Sequence, residues 1–374
     1  MMKKILMLNV ICLYLSLVAA GQVVASETVK IASVFAQTSV ASVSNAPSIQ
    51  GVRIAVSEIN KQGGILGKKI ELLEIDNRST PEGSKAAAEK AAEQGVVAII
   101  GANWNAHSME VAKVAQDCHI PMISNASAHP DITRTGNYIF RVCFSDLFQG
   151  QVMARFARKD IRASKAVILK NINSEYSIGL AHEFRKYFEK LKGRVLLELT
   201  YTSEDQNFDK ILEQSKAYSP DILFIPGEDE SEVIAKQAQD KKISAIPLGG
   251  DKWGSTKLYR IGGESLKQGY FSTHWSKNTD RDITREYLRK YAGNPNSVFG
   301  DAALAYDATH LLADAIRRSG SFEREKIRCA LAKTRNFKGV TGDITMDENG
   351  DAIKDVVIMQ ITNGEARYLK IFKP

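Results

Sequence analysis

Cysteine is scarce in this sequence of 374 residues, and its four copies form no familiar pattern. The sequence has no Cys-x-x-Cys pair and no cysteine–histidine cluster at metal-ligand spacing, which excludes a zinc finger and a thioredoxin-like redox motif. Three cysteines follow the first 25 residues: Cys118, Cys143 and Cys329. Either Cys118 and Cys143 form a bridge, or all three are buried as small apolar side chains, which is the commoner arrangement.

Motifs of catalysis and of metal binding are missing as well. Residues 63–69 superficially resemble a phosphate-binding loop, but Gln62 replaces its first glycine and Lys69 its serine or threonine. No Gly-x-Ser-x-Gly elbow is present. His182–Glu183 lacks the second histidine of a zinc helix, and residues 347–351 lack the distal glutamate of a calcium loop. We therefore expect no enzymatic activity, no metal and no cofactor.

Long runs of one charge sign are also absent, although the net charge is +7 at pH 7. Basic and acidic residues alternate, as they do between Glu183 and Lys190. This alternation is typical of a solvated helix face rather than of a surface that follows a phosphate backbone. The composition therefore argues against a nucleic-acid partner.

A long apolar run occurs once, at the amino terminus. It extends from Ile5 to Ala20 and follows Lys3 and Lys4. Its length of about 16 residues is short of the roughly 20 that span a bilayer, so a signal peptide is favoured over a transmembrane anchor. We predict a signal peptide over residues 1–25, cleaved after Ala25 or after Ala20, and a periplasmic product.

From Val29 onward, apolar strand-like and amphipathic helix-like segments alternate in two consecutive series. The first series runs from Val29 to Ser124 and the second from Tyr138 to Trp275. In the first series, the apolar repeat predicts an amphipathic helix over Ser48–Lys61. This alternation predicts an α/β protein with two Rossmann-like lobes, each built on a parallel sheet. Three helical segments follow, the first at Asp282–Tyr291, and Val356–Phe372 reads as a hairpin that turns at Asn363–Gly364.

Two loops of the first series follow predicted buried strands and are rich in small polar residues. One contains Trp104 and Asn105, and the other contains Ser127. Ligands of parallel sheets bind beyond the carboxyl ends of the strands, where helix starts present free N–H groups to an anion. Ordinary helix capping by asparagine and serine is an equal alternative. The aromatic ring of Trp104 favours a ligand pocket.

Two loops of the second series also follow predicted strands, and they contain Tyr176 and Asp251. Asp251 is a candidate partner for an ammonium group, and Tyr176 for stacking or hydrogen bonding. A turn aspartate that faces water and a rim tyrosine are the alternatives. If these loops face those of the first series, the site has one end that binds an anion, the anion end, and one end that binds a cation, the cation end. A zwitterionic amino acid requires this polarity.

Six stretches, in this order and spacing, resemble the leucine/isoleucine/valine-binding proteins of branched-chain amino-acid ABC importers, over essentially the whole chain after the signal. The stretches are INKQGGILGKKIELLEIDN, ISNASAHPDIT, YIFRVCFSDLFQG, EYSIGLA, PLGGDKW and FKGVTGDITMDENGD. The resemblance implies a type I periplasmic binding protein fold with three crossovers and a ligand in the interlobe cleft. It implies an N-terminal lobe of residues 26–143 plus 276–354 and a C-terminal lobe of residues 144–275 plus 355–374.

The resemblance also implies roles for individual positions. The carboxylate-binding serine of the family falls at Asn105, and a backbone-carbonyl position falls at Ala126. The ligand-binding tyrosine falls at Tyr176, and the ammonium-binding acid falls at Asp251.

Two further positions depart from the family pattern. Ala128 replaces a threonine, beside Ser127, and Glu228 replaces a second tyrosine. Glu228 either lies solvated at the rim or pairs with a ligand cation, because a buried unpaired carboxylate is costly.

The resemblance implies capture of an amino acid by hinge closure and delivery to an ABC permease in the inner membrane, by a protein that acts as a monomer. A periplasmic sensor of the same fold, acting through a signalling partner, is the alternative. The departures at Asn105, Ala128 and Glu228 lead us to expect a specificity that differs from plain leucine.

Overall fold

The structure is a computed structural model that describes residues 28–228, 230–254, 266–294 and 297–373. The predicted signal peptide lies outside the described residues. The strands are β1 (Thr28–Phe35), β2 (Lys69–Asp76), β3 (Ile99–Gly101), β4 (Met122–Ser124), β5 (Ile139–Arg141), β6 (Lys165–Asn171), β7 (Arg194–Tyr201), β8 (Ile222–Phe224), β9 (Ile246–Gly249), β10 (Gln268–Thr273), β11 (Phe337–Gly339), β12 (Gly342–Met346), β13 (Ala352–Ile353), β14 (Val356–Thr362) and β15 (Glu365–Phe372).

The helices alternate with these strands. They are α1 (Ser42–Lys61), α2 (Pro81–Glu93), α3 (Asn105–Asp117), α4 (Asp131–Arg134), α5 (Asp146–Lys159), α6 (Glu175–Lys190), α7 (Asp209–Ala217), α8 (Glu230–Asp240), α9 (Asp282–Tyr291), α10 (Gly300–Ser319) and α11 (Arg324–Ala332), with a 3-10 turn at Asp251–Gly254. No helix in these described ranges is both long and apolar enough to cross a membrane.

Two larger sheets organise the chain. The first has five parallel strands in the order β2-β1-β3-β4-β5. The second has seven strands in the order β15-β14-β10-β9-β8-β6-β7, of which β6 to β10 are parallel. Short central strands such as β3, β4 and β8 are buried along their whole length, as expected where helices cover both faces of a sheet. The predicted α/β fold with two parallel sheets is confirmed.

The chain passes between the two sheets three times. It leaves the first sheet after β5, returns to it after β10 with α9 to α11, and joins the second sheet again at β14. The returning helix α10 packs lengthwise on α1, where a Cβ added to Gly51 would lie 2.2 Å from the carbonyl oxygen of Ala302. We call the part built on the five-stranded sheet, with α10, the N-terminal lobe, and the part built on the seven-stranded sheet the C-terminal lobe.

The terminal hairpin is confirmed, because β14 and β15 pair antiparallel and meet at Thr362 and Glu365 around Asn363–Gly364. The start of α1 differs from the sequence expectation, which placed it at Ser48, before the first apolar repeat. The helix begins at Ser42 instead. Asn45 explains the extension, since its side chain accepts from Ala36 N and donates to the Ala41 carbonyl, contacts that apolar periodicity does not reveal.

The three cysteines of the described residues are free thiols, so Cys118 and Cys143 form no bridge. Burial was expected for all three, but it holds for Cys143 alone: Cys118 is exposed and Cys329 is half-buried. Burial raises the pKa of the Cys143 thiol to about 12, which leaves it protonated and unreactive at neutral pH.

Candidate ligand-binding site

The predicted site loops lie at the carboxyl ends of the strands in both sheets. The loops after β3 and β4 belong to the N-terminal lobe, and those after β6, β8 and β9 belong to the C-terminal lobe. The two sets approach each other, because Nε2 of His129 lies 3.5 Å from an oxygen of Glu175, the first residue of α6. The cleft between the lobes is therefore bordered by the loops that sequence reasoning selected.

Serine hydroxyls join the two loops of the N-terminal lobe around one carbonyl group. The carbonyl oxygen of Ala102 accepts hydrogen bonds from Ser108 at 2.7 Å and from Ser127 at 3.0 Å. The hydroxyls of Ser108 and Ser127 also lie 2.7 Å apart. Ser127 is thus only 1% exposed, and its hydroxyl is engaged in hydrogen bonds within the loop structure.

Trp104 and Asn105 stand at the start of α3. Trp104 is 40% exposed, and its ring centroid lies 5.3 Å from that of His107. The side chain of Trp104, the N-cap residue, makes no capping hydrogen bond to the first turn of α3. The N–H groups of this turn and the half-buried Asn105 amide are donors that suit an anion. The Asn105 oxygen accepts a long hydrogen bond of 3.4 Å from His129 N.

Sequence reasoning missed a buried amide network beneath these loops. The Asn103 oxygen accepts from Ser48 and from Asn125, each at 2.8 Å, and the Asn103 amide donates to Asp301 at 3.4 Å. Asn103 and Asn125 each follow a buried strand, which was a usable signal. Ser48 and Asp301 lie on α1 and α10, and nothing in their local sequence indicates that they meet.

A second missed residue, Arg141, supports the loop that carries Ala126 and Ala128. Its side chain is fully buried, with Nε 2.6 Å from Asp351. One guanidinium nitrogen donates to the Ser127 carbonyl at 3.1 Å and the other to Thr133 at 2.8 Å. Ala126 is half-buried and Ala128 is buried. The guanidinium therefore connects the loop to the segment that leads into the third crossover.

Asp251 and Tyr176 lie together at the C-terminal lobe's side of the cleft. Oδ1 of Asp251 accepts hydrogen bonds from the Tyr176 hydroxyl and from the Gln149 amide, both at 2.9 Å. Its Oδ2 lies 3.7 Å from Nε2 of His274. Desolvation alone would raise the pKa of Asp251, but the ring of His274 and the charge of Lys252 hold it well below its usual range. Asp251 is therefore an anion at neutral pH.

Glycines allow this arrangement to pack. A Cβ added to Gly250 would lie 2.0 Å from the Tyr176 hydroxyl, and one added to Gly249 would lie 2.2 Å from the Trp253 ring. Desolvation raises the pKa of Tyr176 well above its usual value, and the charge of Asp251 adds to the effect, so the hydroxyl stays a donor. Tyr176 was predicted as a ligand contact, and its buried hydroxyl also fixes the carboxylate of Asp251.

Glu228 lies at the exposed rim, where its carboxylate accepts one long hydrogen bond of 3.5 Å from Ser174. Because the side chain is exposed, its carboxylate carries no burial cost. The exposed Lys252 has its ammonium nitrogen 5.8 Å from the centre of the Tyr176 ring. Desolvation lowers the pKa of Lys252, but the charges of Asp251 and Glu228 outweigh it, and the pKa is raised overall.

The site thus has acidic groups and a tyrosine on one side and an uncapped helix start on the other. No group of three or more metal-ligating side chains occurs in the part of the chain that the structure describes. The ligand roles predicted for Trp104, Asn105, Ala126, Ser127, Ala128, Tyr176, Glu228 and Asp251 stay predictions.

Known proteins resemble the chain along most of its length. The profile of a family described as periplasmic binding protein matches residues 28–366. The Leu/Ile/Val-binding protein BraC3 of Rhizobium johnstonii is 27% identical over 304 residues, which cover 80% of this chain and 82% of that protein. A leucine-, isoleucine-, valine-, threonine-, and alanine-binding protein of Pseudomonas aeruginosa is 24% identical over 306 residues, with coverages of 80% and 81%.

Solved structures agree with these sequence relatives. A leucine binding protein from Thermotoga maritima has a TM-score of 0.81 and 35% identity, and the match covers 93% of this chain and 99% of that one. The branched-chain amino acid transporter substrate binding protein LivJ from Streptococcus pneumoniae, in complex with isoleucine, has a TM-score of 0.82 and 27% identity, with coverages of 93% and 100%.

Proposed function

This chain belongs to the periplasmic binding protein family, and from this we propose that it is a solute-binding protein of an ABC importer. It captures an amino acid, of the branched-chain type or a close relative, in the cleft between its lobes. Hinge closure encloses the ligand, and the loaded protein delivers it to the importer. The chain acts as a receptor and not as an enzyme.

The polarity of the cleft carries this proposal. At the C-terminal lobe, Asp251 is ionised, and hydrogen bonds from Tyr176 and Gln149 hold its carboxylate in place. This fixed negative charge suits a ligand ammonium group. At the N-terminal lobe, the N-cap residue Trp104 provides no side-chain cap to α3, so the first turn offers N–H donors beside Asn105 to a carboxylate. The α-amino and α-carboxylate groups of an amino acid match these two ends.

Five positions shape the specificity. Asn105 binds the ligand carboxylate through its amide, and the carbonyl of Ala126 accepts from the ligand ammonium group. Ala128 contributes no hydroxyl, so the cation end relies more on Asp251. Glu228 and Trp104 border the space for the ligand side chain, and the exposed acid at the rim favours a side chain with polar character.

The cellular setting follows from the same proposal. The signal peptide over residues 1–25 is cleaved on export, and the protein works in the periplasm as a monomer. Its partners are the small-molecule ligand and an ABC permease in the inner membrane, with no nucleic acid. The N-terminal lobe comprises residues 26–143 plus 276–354, and the C-terminal lobe residues 144–275 plus 355–374. The sheet membership of β1 to β5 and of β6 to β10 with β14 and β15 supports this division.

Isothermal titration of residues 26–374 tests the proposal. The panel comprises L-leucine, L-isoleucine, L-valine, L-threonine and L-alanine, with benzoate and 4-hydroxybenzoate as carboxylates that lack an amino group. We expect at least one amino acid to bind with one site per chain, and neither benzoate to bind. Binding of the benzoates alone would overturn the amino-acid part of the proposal. An absence of any binding would overturn capture of these solutes altogether.

A further inference from the structure

Asp146, the first residue of α5, is a buried acid without a partner. It is 2% exposed, and neither of its carboxylate oxygens has a hydrogen-bond partner among the described residues. Ser145 caps the helix by accepting from Phe148 N, so the cap does not require the Asp146 side chain. Burying an ionised carboxylate without partners costs several kcal/mol, so an uncharged form is favoured unless a cation is close.

Asp146 lies between the two halves of the candidate site. Its backbone N–H donates to the Ala128 carbonyl of the N-terminal lobe at 3.1 Å. One turn further along α5, on the same face, Gln149 donates to Asp251 of the C-terminal lobe at 2.9 Å. Asp146 therefore stands next to the cation end, at the point where the chain passes from one lobe to the other.

Charged groups from several elements act on Asp146. Desolvation is the largest effect and, with the negative charge of Asp251, raises the pKa of Asp146 to about 7. The value of about 7 also includes the charge of Glu228, which raises this pKa, and the charges of Lys252 and Arg141, which lower it. Arg141 is already paired with Asp351.

Two more titratable groups, His274 and Tyr176, lie in the surroundings of Asp146. Desolvation lowers the pKa of His274, which lies against Phe144 with ring centroids 3.7 Å apart. The hydroxyl of Tyr176 remains protonated, because desolvation raises its pKa. Neither group supplies a positive charge to Asp146 at neutral pH.

We propose that Asp146 is protonated in the ligand-free protein and releases its proton when the ammonium group of an amino acid binds beside Asp251. Capture of the ligand is thereby coupled to proton release. Asp146 is a positioning residue in this scheme, because it acts on the ligand through the field at the cation end and not by contact. The inference rests on the proposed function and adds a linked proton to it.

The exchange balances in charge at the cation end. One ammonium group with one positive charge arrives there, and one proton leaves the Asp146 carboxyl for solvent, while no covalent bond of the ligand changes. The negative carboxylate of the ligand lies at the other end of the site, at the start of α3. Asp251 is already ionised, so the exchangeable proton belongs to Asp146. A cation close to a carboxylate lowers its pKa, so binding favours the ionised form of Asp146.

The sign of the pH effect follows from the same linkage. Because the bound state holds fewer protons than the free state, ligand affinity rises with pH through the range in which free Asp146 titrates. For L-leucine we expect the dissociation constant to fall about tenfold between pH 5.5 and pH 8, and about half a proton to be released per ligand at pH 7. An acid with a merely structural role at the start of α5 would change stability but would release no proton.

Titration calorimetry of residues 26–374 with L-leucine, in phosphate and in Tris at pH 7, measures the released protons, because the two buffers differ in ionisation enthalpy. The same measurement is made on Asp146→Asn, which keeps the side-chain shape. Glu183→Gln is the matched control, since Glu183 is also buried in the C-terminal lobe with an unpartnered oxygen. We expect proton release in the wild type and in Glu183→Gln, and none in Asp146→Asn.

¹³C NMR of the ligand-free wild type measures the titration of the Asp146 carboxyl group directly. This measurement requires no ligand, and it does not depend on whether the variant folds. A carboxyl group that stays ionised down to pH 5 overturns the proposal. Where leucine does not bind, the same measurement uses the tightest-binding amino acid of the titration panel. Binding without proton release, or with the same release in Asp146→Asn, overturns the proposal as well, and the proposed function then survives. If no amino acid binds, the proposed function fails, and the proton linkage to an amino acid fails with it.

Discussion

The Tyr176 hydroxyl donates a hydrogen bond of 2.9 Å to Oδ1 of Asp251, although 75 residues separate the two in the chain. Tyr176 extends from the first turn of α6 and Asp251 begins the turn after β9. The same Asp251 oxygen accepts from Gln149 of α5, so three segments of the C-terminal lobe converge on one atom. The carboxylate is thereby held in one orientation, with its second oxygen 3.7 Å from Nε2 of His274.

Removal of the Asp251 carboxylate tests the cation end. We expect Asp251→Ala to weaken binding of the preferred amino acid by about 2 kcal/mol or more, because the ligand ammonium loses its charged partner. Titration calorimetry measures the change. Asp240→Ala is the matched control, since Asp240 pairs with Lys236 on the exposed surface of the same lobe, and its affinity should equal that of the wild type. Equal affinity of Asp251→Ala would exclude Asp251 from the site.

Loss of the Tyr176 hydroxyl tests the orientation of Asp251. Tyr176→Phe keeps the buried ring and removes one of the two hydrogen bonds to Oδ1. We expect binding to weaken by about 1 kcal/mol, a typical value for one hydrogen bond, and the melting temperature to change little. Calorimetry and thermal unfolding measure the two effects. A large fall in melting temperature with unchanged affinity would assign Tyr176 to the core alone.

The fully buried guanidinium of Arg141, paired with the half-buried Asp351, supports the loop of Ala126 and Ala128. We expect Arg141→Met to destabilise the protein by about 3 kcal/mol, because the Ser127 carbonyl and the Asp351 carboxylate lose a buried charged donor. Urea unfolding measures the change. Arg281→Met is the control, because its partner Asp343 is more exposed and a pair in that setting contributes less. A smaller loss for Arg141→Met than for Arg281→Met would contradict this role.

Two helical glycines differ in what surrounds them. A Cβ added to Gly51 of α1 would lie 2.2 Å from the carbonyl oxygen of Ala302. A Cβ added to Gly179 of α6 would meet no atom of another segment within 4 Å among the described residues. We expect Gly51→Ala to destabilise the protein by at least about 1–3 kcal/mol through overpacking. Gly179→Ala should instead stabilise it by about 0.5–1 kcal/mol, since alanine is the better helix former. Chemical unfolding of both variants measures the contrast, and effects of the same sign would contradict the packing of α10 on α1.

The sequence predicted the alternation of strands and helices well, because the apolar patterns are clear. Buried strands such as β3 and β8 are short apolar runs, and apolar residues recur at helical spacing along α10. The hairpin of β14 and β15 was predicted for the same reason, with Asn363–Gly364 as a specific turn signal. The start of α1 was missed. It depends on hydrogen bonds of Asn45 to Ala36 and Ala41, which the apolar periodicity of the sequence does not indicate.

The site loops were also recognisable in the sequence, because polar residues follow buried strands in the loops of Asn105, Tyr176 and Asp251. The groups that support these loops were not recognisable. Arg141 pairs with Asp351 and Asn103 meets Asp301 only after the chain has returned to the N-terminal lobe. Such contacts join residues about 200 positions apart, and local patterns do not predict them.

A crystal structure of residues 26–374 with its tightest-binding amino acid tests the central claim most directly. We expect one ligand in the cleft, with its ammonium group within hydrogen-bond distance of Asp251 and its carboxylate at the first turn of α3 beside Asn105. A ligand bound outside the cleft, or bound in the cleft with its carboxylate toward Asp251, would contradict it.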